Sequence, residues 1–169
     1  MTDDLRHLRG ILNKAFEWGA IKQKIPVKMY RIPKRHPRIL TEDERNAILG
    51  YAKEHNFEVY RVVLFALWTG CRREEIANLK WQDIQGNMAR VIGKGDKERT
   101  MPLLSKALEA MGPIKDIGYV FIHWNDLSRY TKAFKRIARA CGIEDVHFHH
   151  LRHTAATQMI DSGIGLSYV

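Results

Sequence analysis

The stretch His147–Thr157, "HFHHLRHTAAT", places four histidines and one arginine within seven consecutive positions. A metal site, an anion site and the capped start of a helix in a basic protein all fit such a cluster. His149 and His153 are four residues apart, so on a helix they share a face and have the spacing of a zinc pair. A zinc site needs further ligands, and no HExxH, CxxC or matching carboxylate motif supplies them. No metal is therefore expected. The anion reading needs an arginine near a helix N-terminus, where free N–H groups and the helix dipole favour negative charge. A last helix over roughly 149–161, stopped by "DSG", gives Arg152 that setting.

The same setting recurs upstream. In "TGCRREEI" (69–76), arginines open a short helix expected over Arg73 to Leu79. Phosphodiester chemistry needs donors around the non-bridging oxygens, and the guanidinium fork stays protonated and can grip two oxygens at once. Between these segments, "MARVIGKGDKERTMPL" (88–103) reads as two β-strands around a charged Gly-rich turn. Its lysines could reach a leaving-group oxygen. Arg72 competes with Arg73, and Lys94 with Lys97. His153 reads better as a packed residue than as a catalyst, and His147 as a loop residue.

Charge points to the same chemistry. The chain of 169 residues carries a formal +9, which favours a polyanionic partner, above all nucleic acid. Most of the excess is local. "IKQKIPVKMYRIPKRHPR" (21–38) holds seven Lys or Arg, three prolines and no acid, as a strap along a phosphate backbone would. In "NDLSRYTKAFKRIARACG" (125–142), a helix ending at Gly142, Leu127, Tyr130, Phe134, Ile137 and Cys141 form a core face. Arg129, Lys132, Arg136 and Arg139 line another side, with Lys135 nearby and Asp126 the only acid. That stripe is expected to face DNA.

The apolar fraction of 45% and charged fraction of 28% are those of a soluble globular protein. The longest apolar run, "VVLFALW" (62–68), suits a buried helix rather than a membrane span. "MTDDLRHLRG" has no apolar signal region, and Cys71 and Cys141 are too few for a disulfide framework. A cytoplasmic location and no membrane partner are expected. Residues 2–19 read as a helix with Leu5, Leu8, Leu12, Ala15 and Phe16 at helical spacing. At "LTEDE" (40–44), Thr41 and Glu44 have capping-box spacing, opening a helix to about His55. A second apolar helix should end near "WTG" (68–70), and "YVFI" (119–122) reads as a third strand.

Three motifs in order resemble the tyrosine recombinases, the phage-type site-specific integrases. They are Thr-Gly-x-Arg-x-x-Glu in "TGCRREE", Gly-Lys-Gly-x-Lys-x-Arg in "GKGDKER", and His-x-Leu-Arg-His-Thr-x-Ala-Thr in "HHLRHTAAT". The resemblance covers residues 40–169. It implies an α+β, mostly α-helical fold of the DNA breaking-rejoining type, with a small antiparallel β-sheet. Residues 1–20 would be the last helix of a DNA-clamping core-binding domain, 21–39 a basic linker, and 40–169 the catalytic domain.

The resemblance also implies roles. Arg72 and Arg152 would hold the scissile phosphate, Lys94 would protonate the leaving 5′ oxygen, and His149 would assist proton transfer. Glu75 would support the site. A tyrosine would attack, forming a 3′-phosphotyrosyl link that stores the bond energy, so no cofactor is expected. Lys28, Arg31, Lys34 and Arg35 of the linker would join Arg129, Lys132, Arg136 and Arg139 in holding double-stranded DNA. The full-length protein would assemble as a homo-oligomer on DNA.

The chain departs from the family at two places. His150 stands where the family most often has Asp. The family's later His or Trp, and its nucleophile, lie well beyond the position matching Arg152, and the chain ends at "GIGLSYV". Tyr168 matches the helix after the His-x-x-Arg motif, and Tyr30, Tyr51, Tyr60, Tyr119 and Tyr130 match no nucleophile position. The expectation is a phosphate pocket without its nucleophile. A non-catalytic DNA-binding module and a type IB topoisomerase-like enzyme remain alternatives.

Overall fold

The computed structural model describes residues 2–30, 37–93, 95, 97–121 and 126–163. The chain divides into two units, Met1–His36 and Pro37–Val169. In the first, helix α1 (Thr2–Glu17) forms as its periodicity predicts and gives way to a turn in which Gly19 takes φ 72°. Leu5, Leu12 and Ala15 are half-buried, whereas Leu8 and Phe16 of the same stripe are exposed.

The second unit is built around helix α3 (Phe57–Thr69), whose Val59, Val62, Val63, Leu64, Phe65, Ala66 and Leu67 are all buried. A helix apolar on every side must be surrounded, and α3 packs against α2 (Glu42–His55), α5 (Ser105–Met111), α6 (Ser128–Ala140) and α7 (Phe148–Asp161). The Thr41–Glu44 capping box forms in both directions. Thr41 Oγ1 accepts from the Glu44 N–H at 3.2 Å, and Glu44 accepts from the Thr41 N–H at 2.8 Å. Short helix α4 (Arg73–Asn78) follows α3 directly.

The sheet is antiparallel, in the order β1 (Ile84–Gln85), β2 (Met88–Ile92), β3 (Glu98–Pro102). Ala89 pairs with Met101 and Val91 with Arg99. Ala89, Val91 and Met101 are buried, so this register turns Arg99 toward the interior as well.

Four features differ from the sequence reading. Tyr119–Phe121 is no strand of the sheet; Tyr119 makes an isolated bridge to Lys80, and Ile122 lies outside the described residues. Val120 and Phe121 are both buried, which breaks strand alternation. The Val120 N–H bonds Leu79 at 2.9 Å, and its carbonyl takes Arg61 Nη2 at 3.1 Å. The third strand is instead β1. Helix α5 was not expected; Ala107, Ala110 and Met111 bury its inner face, and Arg61 Nε caps the Ala110 carbonyl at 2.9 Å. Helix α6 starts late because the Asp126 carboxylate accepts from the Ser128 N–H (2.8 Å) and hydroxyl (2.6 Å), holding a turn before it.

The fourth concerns the basic strap. Arg38 at its end is held by two acids of the folded unit: Nε meets Asp145 at 2.9 Å and Nη1 meets Glu44 at 2.9 Å. Both acids have their carboxyl pKa lowered, first of all by the hydrogen bond from Arg38. Arg38 is therefore a structural clamp rather than part of a free cationic strap.

Candidate active site

The "TGCR" run turns the chain from α3 into α4. The Thr69 hydroxyl donates to the Phe65 carbonyl at 2.7 Å and accepts from the Cys71 N–H at 3.3 Å. Gly70 takes φ 63°, a left-handed conformation that ends α3 at little steric cost. Cys71 is then buried, its Sγ 3.3 Å from Met101 Sδ, and burial pushes its thiol up to about 11. Arg72 follows as the residue that caps α4.

Glu75 holds Arg72 in place. Its side chain is 1% exposed. Oε1 accepts from Arg72 Nη1 at 2.9 Å, and Oε2 accepts from the Arg72 backbone N–H at 2.8 Å. Oε2 also accepts from Arg99 Nη2 at 3.0 Å. A buried carboxylate is tolerable only when paired and hydrogen-bonded, and these two guanidiniums satisfy it. Gly93 at the base of the hairpin completes the packing. A Cβ there would lie 3.2 Å from Glu75 Oε1, so a larger residue would push the carboxylate by a few tenths of an ångström.

Helix α7 brings the second half. The His147 N–H donates to His150 Nδ1 at 3.2 Å, which needs that nitrogen unprotonated. Desolvation, then the neighbouring His147, His153 and Arg38, hold the His150 pKa down. His149 stands exposed at the rim. Partial desolvation, then His153, Arg152 and Arg72, lower its pKa too. Arg152 Nη1 donates to the Gly70 carbonyl, tying α7 to the α3–α4 turn. Burial, then Arg72 and Arg99, lower the Arg152 pKa, so this guanidinium sits in a field of like charge.

Arg72, His149 and Arg152 thus line one cleft of about 380 Å³, with Cys71, Arg73 and Thr131 in its walls. Helix N-terminal turns, two guanidiniums and an imidazole converging there fit a tetrahedral anion. Arg73, the competitor of Arg72, is turned aside to donate to Thr131 Oγ1 of α6 at 2.9 Å. His153 packs edge-on against His149, the ring centroids 4.7 Å apart. Among the described residues, no group of three or more His, Cys, Asp or Glu gathers as metal ligands.

Lys94 lies outside the described residues, as do Arg31, Lys34, Arg35 and Tyr168. Lys97 is exposed and receives the Gly93 N–H on its carbonyl at 2.8 Å. Arg129, Lys132, Arg136 and Arg139 are all exposed on α6, while Tyr130, Phe134 and Ile137 of the other face are buried; Lys28 is exposed in the first unit. Of the tyrosines, Tyr130 is buried in the core and Tyr51 stacks on His55. Tyr60 neighbours Phe57, and Tyr119 has Lys80 over its ring. None of these lines the cleft.

Sequence reasoning missed Arg99. A signal was present: period-two counting from Met101 puts Arg99 on the inner face of β3, and an inward arginine demands an acid.

The sequence profile of the phage integrase family matches residues 38–169. The shufflon-specific DNA recombinase of Escherichia coli is 31% identical, an alignment that takes in 95% of this chain and 43% of the relative. Tyrosine recombinase XerC of Corynebacterium efficiens is also 31% identical, over 82% of this chain and 51% of the relative. Among solved structures, a lambda integrase dimer bound to a COC′ core site superposes with a TM-score of 0.75 at 18% identity, covering 95% of this chain and 52% of that one. XerA recombinase superposes with a TM-score of 0.66 at 24% identity, covering 92% of this chain and 61% of that one. The fold is that of the tyrosine recombinase catalytic domain, and the chain belongs to the phage integrase family of tyrosine recombinases. It spans about half the length of the curated relatives it matches. Among the described residues, no helix is long and apolar enough to cross a membrane.

Proposed function

We propose that this chain supplies the phosphate-binding site of a site-specific recombinase that cuts and rejoins double-stranded DNA through a 3′-phosphotyrosyl intermediate. The observation that carries the reading is the convergence of Arg72, His149 and Arg152 on one cleft, from the starts of two separate helices. The two arginines bind the non-bridging oxygens and stabilise the charge that grows on them in the pentacoordinate transition state. The tyrosine oxygen forms a bond to phosphorus as the bond to the 5′ oxygen breaks, and Lys94 supplies the proton to that oxygen. His149, whose pKa burial and its cationic neighbours lower, hydrogen-bonds the phosphate and accepts the phenolic proton as the tyrosine attacks, balancing the proton that Lys94 gives up. Glu75 keeps Arg72 in place. The covalent link conserves the energy of the phosphodiester, so neither metal nor cofactor is required.

Lys28, Arg31, Lys34, Arg35, Arg129, Lys132, Arg136 and Arg139 neutralise the DNA backbone. Support comes from the exposed, all-cationic face of α6, where Lys132, Arg136 and Arg139 form no ion pair among the described residues. A lambda integrase of this fold is a tetramer bound to a Holliday junction. We infer a homo-oligomer on DNA here as well. Tyr51, Tyr60, Tyr119 and Tyr130 do not line the cleft, and Tyr168 does not match the nucleophile position, so the attacking tyrosine is not expected among these.

The test is a nicked suicide substrate. The 169-residue chain is expected to bind duplex DNA, losing affinity steeply with salt, and to leave no covalent adduct. In the full-length protein, Arg72→Ala and Arg152→Ala should each abolish adduct formation while the fold survives. Normal cleavage by either variant would overturn the assignment, and an adduct mapped to Tyr168 would reassign the nucleophile.

A further inference from the structure

We propose that Arg99 on β3 is a positioning residue, which keeps Arg72 turned to the cleft by occupying the far oxygen of Glu75. The inference rests on the phosphate-clamp reading above. It begins with the bonding capacity of one carboxylate. An arginine beside a carboxylate favours the bidentate arrangement, two parallel N–H···O bonds, one to each oxygen. Arg72 does not adopt it. Its side chain reaches Glu75 through Nη1 alone, on Oε1. Oε2 is already taken twice, by the Arg72 backbone N–H at 2.8 Å and by Arg99 Nη2 at 3.0 Å. The fork therefore cannot close, and the remaining donors of Arg72 make no hydrogen bond among the described residues.

Charge works in the same direction. Glu75 is buried, and a lone arginine beside it would be cancelled. With Arg99 sharing the carboxylate, the group Arg72–Glu75–Arg99 keeps a net positive charge at the wall of the cleft. The register fixes Arg99 there: it lies opposite Val91, on the same face as buried Met101. Its Nη2 also lies 3.9 Å from Cys71 Sγ, directly behind the "TGCR" turn. Gly93, from the base of the same hairpin, lacks the Cβ that would crowd Glu75 Oε1 at 3.2 Å. Without Arg99, Glu75 is free to take both arms of Arg72 and withdraw it from the anion.

The test uses the whole chain and inorganic phosphate as the probe, with binding followed by phosphorus NMR at constant ionic strength, well below each variant's melting temperature. Arg99→Gln is expected to weaken phosphate binding by about tenfold, the worth of one charge-assisted hydrogen bond. Arg99→Lys, which restores the single charged donor to Oε2, is expected to bind within about threefold of the parent. A residue that served the fold alone would lower the melting temperature and leave phosphate binding by the folded protein unchanged. Unchanged affinity in folded Arg99→Gln, with Arg72→Ala losing its binding, would overturn the positioning role. If Arg72→Ala binds phosphate as well as the parent, the clamp itself fails, and the inference about Arg99 falls with it.

Discussion

The two helix starts that form the cleft are built on opposite electrostatic plans. At α4, Arg72 sits against a buried carboxylate, which it shares with Arg99. At α7 the first turn holds no acid at all; Arg152 reaches the Gly70 carbonyl, and burial, then Arg72 and Arg99, lower its pKa. One arginine is placed by attraction to a carboxylate, the other by its helix and a backbone carbonyl. The difference teaches that two arginines lining one cleft can be fixed by opposite means, one by a buried acid and the other by a backbone carbonyl. The α4 side gains stability from its acid, and the α7 side has no acid to balance its charge, a deficit that an anion bound as proposed would make good.

The largest expected effect comes from removing the acid. Glu75→Gln leaves two arginines facing a buried neutral group and should destabilise the second unit by about 3 kcal/mol. That is the low end for a broken buried pair, because Arg72 and Arg99 are 46% and 28% exposed. Urea unfolding measures it, and a change below about 1 kcal/mol would mean that α4 is not held by charge.

The corresponding anchor at α7 is neutral. The buried Thr154 hydroxyl donates to the His150 carbonyl at 2.8 Å and accepts from the Leu40 N–H at 2.9 Å. Thr154→Val strands that N–H and should cost about 2 kcal/mol by the same measurement. If the cost matches that of an exposed Thr→Val change, the second anchor is elsewhere.

Arg152→Gln sharpens the contrast. Losing the bond to the Gly70 carbonyl is set against relief from burying a charge, so stability should move by less than about 1 kcal/mol. Phosphate binding should nevertheless disappear. A large loss of stability with binding retained would make Arg152 a residue of the fold rather than an anion ligand.

The smallest effect is the pH dependence. His149 and His150 are both held below the ordinary histidine value of about 6.5. The unfolded chain therefore takes up protons first as pH falls. Stability from these groups is complete above the ordinary value and is lost as pH drops through their folded values. Melting temperature should decline between about pH 7.5 and pH 5.5, a window above the carboxylates. His149→Gln with His150→Asn should flatten the decline, and a melting temperature that rises on acidification would contradict the pKa directions. Affinity for sulfate, whose charge is constant in this window, should move the opposite way, because protonated His149 adds a cation to the cleft.

Legibility followed the range of the interactions. Helices α2, α3 and α7 were readable because their caps and apolar periods are local: Thr41 with Glu44, and Gly70 after the "VVLFALW" run. The β2–β3 hairpin was readable from its turn. Tyr119–Phe121 was misread because its partners, Leu79 and Arg61, lie far away in sequence and satisfy its backbone without a ladder. Helix α5 escaped notice because seven residues give too short a periodic signal, and Arg61 supplies its cap from α3. The Arg38 clamp was invisible for the same reason, since Asp145 is 107 residues distant.

The sequence by itself pointed to the family and to the residues that the structure brings to one cleft. Arg72 with Glu75, and His149 with Arg152, occupy spacings that local helix geometry converts into two side-chain pairs at helix starts. Only the tertiary structure decided how those groups are balanced. It brought Arg99 across the sheet to Glu75, sent Arg73 to Thr131, and set Arg152 against the Gly70 carbonyl. Motif spacing records where a side chain leaves its own backbone. Which charges share a carboxylate depends on contacts between elements that no spacing within one element contains.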